Sequence, residues 1–246
     1  MTSSPALDDA VAAIAGRRPL LVASDYDGVL ARLRDDPAAA VPEPGVAEVL
    51  ARLAAVEGVT VALVSGRGAD DLRRTSGLSG PFRWIGSHGA EYDGPLVGEL
   101  AGRRDELARR LEPLVAGTPG ARLEVKPVGV AVHVRQVADR ERAAALLAEA
   151  RQHADSSLTM KPGKDVLEMA VTDADKGSAL RRLVVDLGAA AAVYLGDDVT
   201  DEDGFRALGP DDVTVKVGAG DTAARFRVAG LADAVALLGK LADRLV

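Results

Sequence analysis

The sequence predicts an α/β protein: a parallel sheet covered by helices, with a smaller α+β unit inserted into it. Three observations carry that reading. Short apolar runs rich in Val and Leu, "PLLVAS" (19–24), "VTVALV" (59–64) and "AAVYLG" (191–196), each stop at a polar cluster, as buried parallel strands do. Helical patterns separate them, and strand–helix alternation implies a parallel sheet. Between about Gly94 and Asp173 the pattern changes, with strand-like alternation on both sides of a helix.

The elements follow in order. "GVAEVLARLAAVEG" (45–58) sets Val46, Val49, Leu50, Leu53 and Val56 on one helical face and ends at a glycine. In the middle region, helical patterns occupy 100–116 and 139–154. Strand-like alternations there are "ARLEVK" (121–126), "GVAVHVR" (129–135) and "DVLEMAV" (165–171). In the second of these, Val130, Val132 and Val134 face one way while Ala131, His133 and Arg135 face the other. "DKGSALRRLVVDLG" (175–188) restores the helical pattern, and "LADAVALLGKLADRL" (231–245) reads as a closing helix. The expected division is a core of 1–93 and 174–246, with an inserted subdomain at 94–173.

Composition narrows the function. Of 246 residues, 48% are hydrophobic and 27% charged, which fits a soluble globular protein, and with 3% aromatics the core must be Val, Leu and Ala. A net charge of −7, without a basic patch interleaved with aromatics, excludes general nucleic-acid binding. No apolar run is long enough to span a membrane, and the start "MTSSPALDDAVAAIAG" carries acids where a signal peptide carries positive charge. A cytoplasmic location is expected. Zero cysteines exclude thiolate nucleophiles and zinc–thiolate sites. Arg supplies most of the positive charge and lysines number only six, so each Lys stands out.

Functional groups cluster where the core strands end, the place where open α/β sheets bind ligands. The first strand runs into Asp25-Tyr26-Asp27-Gly28, with two carboxylates at i and i+2 and a glycine that permits a sharp turn. The second runs into Ser65-Gly66-Arg67, a hydroxyl and a guanidinium suited to phosphate. The last runs into Gly196-Asp197-Asp198, with Asp201 placed to cap the next helix or brace the loop. Acids from separate strand ends repel unless a cation lies between them, and hard oxygen ligands favour Mg2+. Taken singly, the acidic run reads as helix capping, D-x-D-G as a turn, and Lys176 as a solvated helix-start lysine. Their order along three strands is what argues for a site.

In that order "DYDGVL" (25–30), "VSGR" (64–67), "DKG" (175–177) and "GDDVTDEDGF" (196–205) resemble the four motifs of the haloacid-dehalogenase-like (HAD) phosphatases. The last is similar to the form found in the trehalose-6-phosphate phosphatase branch, as are "GSHGAEY" (86–92), "EVKPVGVAVHVR" (124–135) and "GKDVLE" (163–168). The resemblance implies a HAD-like Rossmannoid core with a C2-type cap and a Mg2+-dependent trehalose-phosphatase activity. It makes Asp25 the nucleophile and Asp27 the general acid and base. It gives Ser65 and Lys176 to the phosphate, and assigns Mg2+ to Asp25, the Asp27 carbonyl and Asp197, with Asp198 adjacent. Gly28 and Asp201 position loops. Gly66, Arg67, His88, Glu124, Lys126, His133, Arg135 and Glu168 are the substrate-side candidates, the cap members among them facing the sugar or forming exposed ion pairs. The expected partner is a sugar phosphate, with a functional link to a trehalose-phosphate synthase and a monomeric state.

Two positions depart from the family pattern: Val29 stands where Thr is usual, and Ala170 where an Arg is common. The second leaves another (pseudo-)disaccharide phosphate open as substrate. A phosphomutase or phosphotransferase would use the same nucleophile, and a sugar-phosphate-binding module would not need it.

Overall fold

The computed structural model describes residues 5–155 and 157–245. It divides into two compact units: residues up to Gly94 together with those from Ala174 onward, and Pro95–Asp173. Among the described residues, no helix is long and apolar enough to cross a membrane.

Helix α1 (Pro5–Ala15) buries Leu7, Val11 and Ile14, spaced as one helical face. Strand β1 (Leu20–Ser24) follows, buried at every position. A loop containing a short 3-10 turn at Pro37–Ala39 leads to α2 (Val46–Ala54), which buries Val46, Val49, Leu50 and Leu53. Strand β2 (Val59–Val64), helix α3 (Ala69–Ser76), strand β3 (Arg83–Gly86) and strand β4 (Glu91–Tyr92) complete this half.

The second unit contains α4 (Gly98–Ala116), β5 (Arg122–Lys126), β6 (Gly129–His133), α5 (Arg140–Gln152), β7 (Thr159–Gly163) and β8 (Val166–Ala170). Its strands form an antiparallel sheet in the order β5-β6-β8-β7. Val130, Val132, Leu167 and Met169 join Leu107, Leu111 and Leu146 in one core. The other sheet face carries Glu124, Ala131, Glu168 and Lys161 in one row, and Lys126, Gly129, Ala170 and Thr159 in the next.

The chain then returns to the first unit through α6 (Lys176–Leu187), β9 (Ala191–Gly196), α7 (Asp201–Ala207), β10 (Val213–Val217), β11 (Phe226–Val228) and α8 (Leu231–Leu245). Seven described strands form one sheet, ordered β11-β10-β9-β1-β2-β3-β4 and parallel except at β3–β4. Both faces of β1 are covered. Leu20 and Val22 belong to the cluster containing Leu50 and Leu238, whereas Leu21 and Ala23 pack with Leu180, Leu183 and Phe205. Two-sided burial is why this strand reads as an unbroken apolar run.

Five strands, β3, β4, β7, β10 and β11, are not among the runs expected from sequence, and two of them show the reason. β7 contains Pro162 and ends at Gly163, and it lies at a sheet edge, where a missing N–H is tolerated. In β10, Lys216 interrupts the apolar run, yet it is buried like its neighbours.

Candidate active site

Parallel pairing of β1 with β2 and β9 brings three carboxyl ends side by side. Asp25 leaves β1 with its N–H donating to the Leu195 carbonyl at 2.9 Å. Its carboxylate, almost wholly buried, accepts from Lys176 Nζ at 2.8 Å and from the Tyr26 N–H at 2.6 Å. Lys176 is the first residue of α6, a helix fixed at its start by an Asp175–Ser178 capping box. It is only 2% exposed, and it also donates to Asp201 Oδ1 at 2.7 Å.

Asp201 is completely buried and accepts four hydrogen bonds. Lys176 and the Tyr194 hydroxyl (2.5 Å) reach Oδ1, while the N–H groups of Asp197 and Asp198, each at 2.9 Å, reach Oδ2. Thr200 holds the N-cap position of α7, and Asp201 is its first helical residue. Asp201 braces the preceding loop by its side chain; of the two roles open from sequence, capping the helix is not the one observed.

Oxygens of Asp25, Asp197 and Asp201 lie within 4.8 Å of one another. Burial pushes the Asp25 carboxyl up to about 8 despite the opposing pull of Lys176, and the Asp201 charge adds to the rise. Burial, then Asp201, raises Asp197 to about 6. Asp197 Oδ1 is buried without a hydrogen-bond partner among the described residues. One lysine therefore does not balance the site, and a hard divalent cation fits it. With both oxygens of Asp201 saturated, the donors left for a cation are Asp25 and Asp197. Asp198 lies outside the cluster, exposed, its Oδ1 accepting the Val199 N–H at 2.6 Å. Gly28 is required beside this site. Its φ is +80°, and a Cβ there would come 2.0 Å from Asp197 Oδ2.

Asp27 is gripped by Arg67 in a bidentate pair, Nε–Oδ2 2.6 Å and Nη2–Oδ1 2.8 Å. Arg67 also donates to Asp71 Oδ2 at 3.2 Å and the Pro37 carbonyl at 2.8 Å, and lies over the Tyr26 ring, 5.9 Å from its centroid. Expected at a phosphate, its guanidinium is engaged by protein acceptors here. Ser65 is buried, and its Oγ accepts the Arg67 N–H at 3.2 Å. Gly66 leaves room for His88, whose Cε1 would sit 2.6 Å from a Cβ there. His88 and Ser87 both have positive φ, 58° and 49°. Buried Glu91 stabilises that bend by accepting from Ser87 Oγ at 2.6 Å and the Ala69 N–H at 3.1 Å. Asp25, Asp27, Ser65, His88, Lys176 and Asp197 line one cavity of about 580 Å³.

The remaining candidates lie in the other unit. Glu124 Oε2 meets His133 Nε2 at 2.8 Å, and Lys126 Nζ meets Glu168 Oε1 at 2.5 Å, all four half-buried or exposed on one sheet face. The His133 hydrogen bond, ahead of the nearby cations, holds the Glu124 carboxyl below its usual range. Ala131, fully buried between Glu124 and Glu168 in the register, keeps the centre of this face low. Arg135 lies in the turn beyond β6 and is exposed. Sequence reasoning passed over Glu91, Asp71 and Glu202. Glu91 sits within "GSHGAEY", and its signal is a carboxylate following a core strand.

The chain matches the family model described as Trehalose-phosphatase over residues 23–230. It is 39% identical over 277 residues to the trehalose-phosphate phosphatase of Mycobacterium avium, covering 99% of this chain and 67% of that protein. Identity to the protein of the same name in Mycobacterium marinum is 35% over 241 residues, covering 90% and 61%. The chain therefore spans about two thirds or less of these relatives' length. The crystal structure of Aspergillus fumigatus trehalose-6-phosphate phosphatase superposes with a TM-score of 0.73 at 28% identity, covering 96% of this chain and 97% of that one.

Proposed function

The chain belongs to the trehalose-phosphatase family, and from that premise we propose that it hydrolyses trehalose 6-phosphate to trehalose and phosphate with the aid of Mg2+. The observation that carries the reading is the buried Asp25 carboxylate, paired with Lys176 and set beside the unpartnered Asp197 oxygen.

Asp25 attacks the phosphorus, and the bond from phosphorus to the sugar 6-oxygen breaks as Asp27 delivers a proton to that oxygen. A water then attacks the aspartyl phosphate, Asp27 takes its proton, and phosphate leaves Asp25 free again. Lys176 neutralises charge on the transferring group, Ser65 hydrogen-bonds it, and Arg67 holds Asp27 beside the site, one of its two bonds yielding so that Asp27 can carry the proton. The Asp25 and Asp197 carboxylates, with the Asp27 backbone carbonyl, would hold Mg2+, which supplies the positive charge that lets an anionic nucleophile approach an anionic phosphate. Glu124, Lys126 and Glu168 offer the donors and acceptors that sugar hydroxyls require, and His133 steadies Glu124. The setting that goes with this reading is a cytoplasmic monomer whose substrate comes from a trehalose-phosphate synthase.

Ala170, small and in the row next to Glu168, favours one second reading, the phosphate of a related disaccharide. Phosphate release from trehalose 6-phosphate, sucrose 6-phosphate, glucose 6-phosphate and a small aryl phosphate tests both. Preference for the first, abolished by chelator and by Asp25→Asn, is the expected result. Turnover of the aryl phosphate alone would refute the sugar assignment.

A further inference from the structure

Strand β10 is buried at every position, yet two of its five residues, Thr214 and Lys216, are polar. Val215 and Val217 pack in the main core cluster, and Val213 joins them. Lys216 nevertheless lies between them at 5% exposure, in register opposite Gly196. A buried lysine is costly unless its ammonium group is satisfied, and this one is aimed at a particular peptide. Nζ donates to the Asp197 backbone carbonyl at 2.5 Å. The carboxylate nearest to it is Glu202, whose Oε1 lies 3.9 Å away and has no hydrogen bond among the described residues. Glu202 Oε2 accepts the Ala223 N–H at 2.6 Å. A chain of contacts thus runs from the β10–β11 connection through Glu202 and Lys216 to residue 197.

The Asp197 backbone is consequently held on both sides, its N–H by Asp201 and its C=O by Lys216. Its side chain lies against Gly28, where there is no space for a Cβ. We propose that Lys216 is a positioning residue that fixes the Asp197 carboxylate for the metal by clamping the Asp197 carbonyl, with Glu202 as the counter-charge that keeps Lys216 in place. The inference rests on Asp197 holding the cation. Without the clamp the 197–198 peptide is held only by the Asp198 N–H on Asp201, and the Asp197 carboxylate is less firmly kept in the place set by Gly28 and Asp201.

The test follows the Mg2+ dependence of thermal unfolding without substrate, alongside kcat and KM at saturating Mg2+. Lys216→Met should raise the Mg2+ midpoint about tenfold or more, as removal of an outer partner of a ligand does, and move KM for the sugar phosphate less than threefold. Lys216→Met/Glu202→Gln removes both charges and should recover metal-free stability, yet keep the raised midpoint. An unchanged midpoint in both variants, with only the metal-free unfolding temperature lowered, would overturn the inference. Asp197→Asn should lose the Mg2+ response altogether. If it keeps the unaltered midpoint, the metal assignment itself is wrong, an outcome separate from failure of the Lys216 variants alone.

Discussion

Replacing Lys176 with Met removes one ammonium from between two carboxylates, Asp25 at 2.8 Å and Asp201 at 2.7 Å, which are 5% and 0% exposed. Asp201 is sealed from water, and Asp25 meets it only at the cavity wall. Breaking a buried pair by deleting one partner costs about 3–5 kcal/mol. In a protein of this size each kcal/mol moves the melting temperature by about 2–4 °C, so the variant should unfold roughly 6–20 °C lower at neutral pH. The deficit should depend on pH in a definite sense. The folded-state value for Asp25 lies near 8, above its unfolded value of 3.8, so folding takes up a proton between them and acidification favours the folded state. Losing Lys176 pushes the Asp25 value higher still, so the gap from the parent should narrow as pH falls toward 8 from above and stay nearly constant from there to pH 5, where both folded states hold the proton. Phosphate release should fall about 100- to 1000-fold, the loss expected when a preorganised charge on the transition state is deleted. Thermal unfolding at several pH values, read beside a phosphate assay, checks both. A Met variant melting within 2 °C of the parent at pH 8, or retaining a tenth of its activity, would refute the reasoning.

Other variants probe the remaining parts. Gly28→Ala forces a Cβ to 2.0 Å from Asp197 Oδ2 at a φ of +80°, so stability should drop by about 1–2 kcal/mol, and activity about 100-fold, since displacing a reacting group by an ångström costs that much. Urea melts and turnover measure the two effects. Arg67→Lys keeps the charge but cannot reproduce the bidentate grip on Asp27, so kcat should fall at least tenfold with KM changing less; full activity would show that the fork does not matter. Glu124→Gln and Lys126→Ala should raise KM for trehalose 6-phosphate while leaving turnover of a small aryl phosphate within twofold, and equal losses on both substrates would count against a sugar-binding role. With chelator present, the unfolding temperature should decline from pH 5 to pH 8. Asp25 (about 8) and Asp197 (about 6) both have raised folded-state values, so the stability they contribute is lost as they release protons; Mg2+ should restore stability most at pH 8.

The apolar runs at β1, β2 and β9 were legible because both faces of each are covered, and apart from Thr60 near the start of β2 they stay apolar up to the residues that begin the site. Their polar ends then marked Asp25, Ser65 and Asp197 directly. Partnership was harder to read than identity. Arg67 looked like a phosphate ligand because guanidinium suits phosphate, but its bond to Asp27 joins residues 40 apart in sequence, and periodicity carries no trace of it. Within "GDDVTDEDGF" the sequence put Asp198 next to the metal and Asp201 at the loop, whereas Asp198 is exposed outside the acidic cluster and Asp201 lies in it, sealed under Tyr194. Lys216 gave the clearest unused signal, a lysine within "VTVKV" in a chain that has only six.

The position of β1 bears on how this protein is made. Its neighbours are β2, which follows it closely, and β9, which is translated only after the whole of Pro95–Asp173. The insertion is built from antiparallel strands close in sequence, contacts that form quickly and can be complete while the ribosome is still working. The core cannot close at that stage. A nascent chain stopped just short of residue 191 presents β1 with one edge unpaired and Asp25 without the strand whose Leu195 carbonyl receives its N–H. Synthesis thus leaves a hydrophobic strand waiting until residues 191–196 pair with its open edge, and the same segment leads directly into Asp197 and Asp201, so the strand is covered and the acidic cluster assembled in one step.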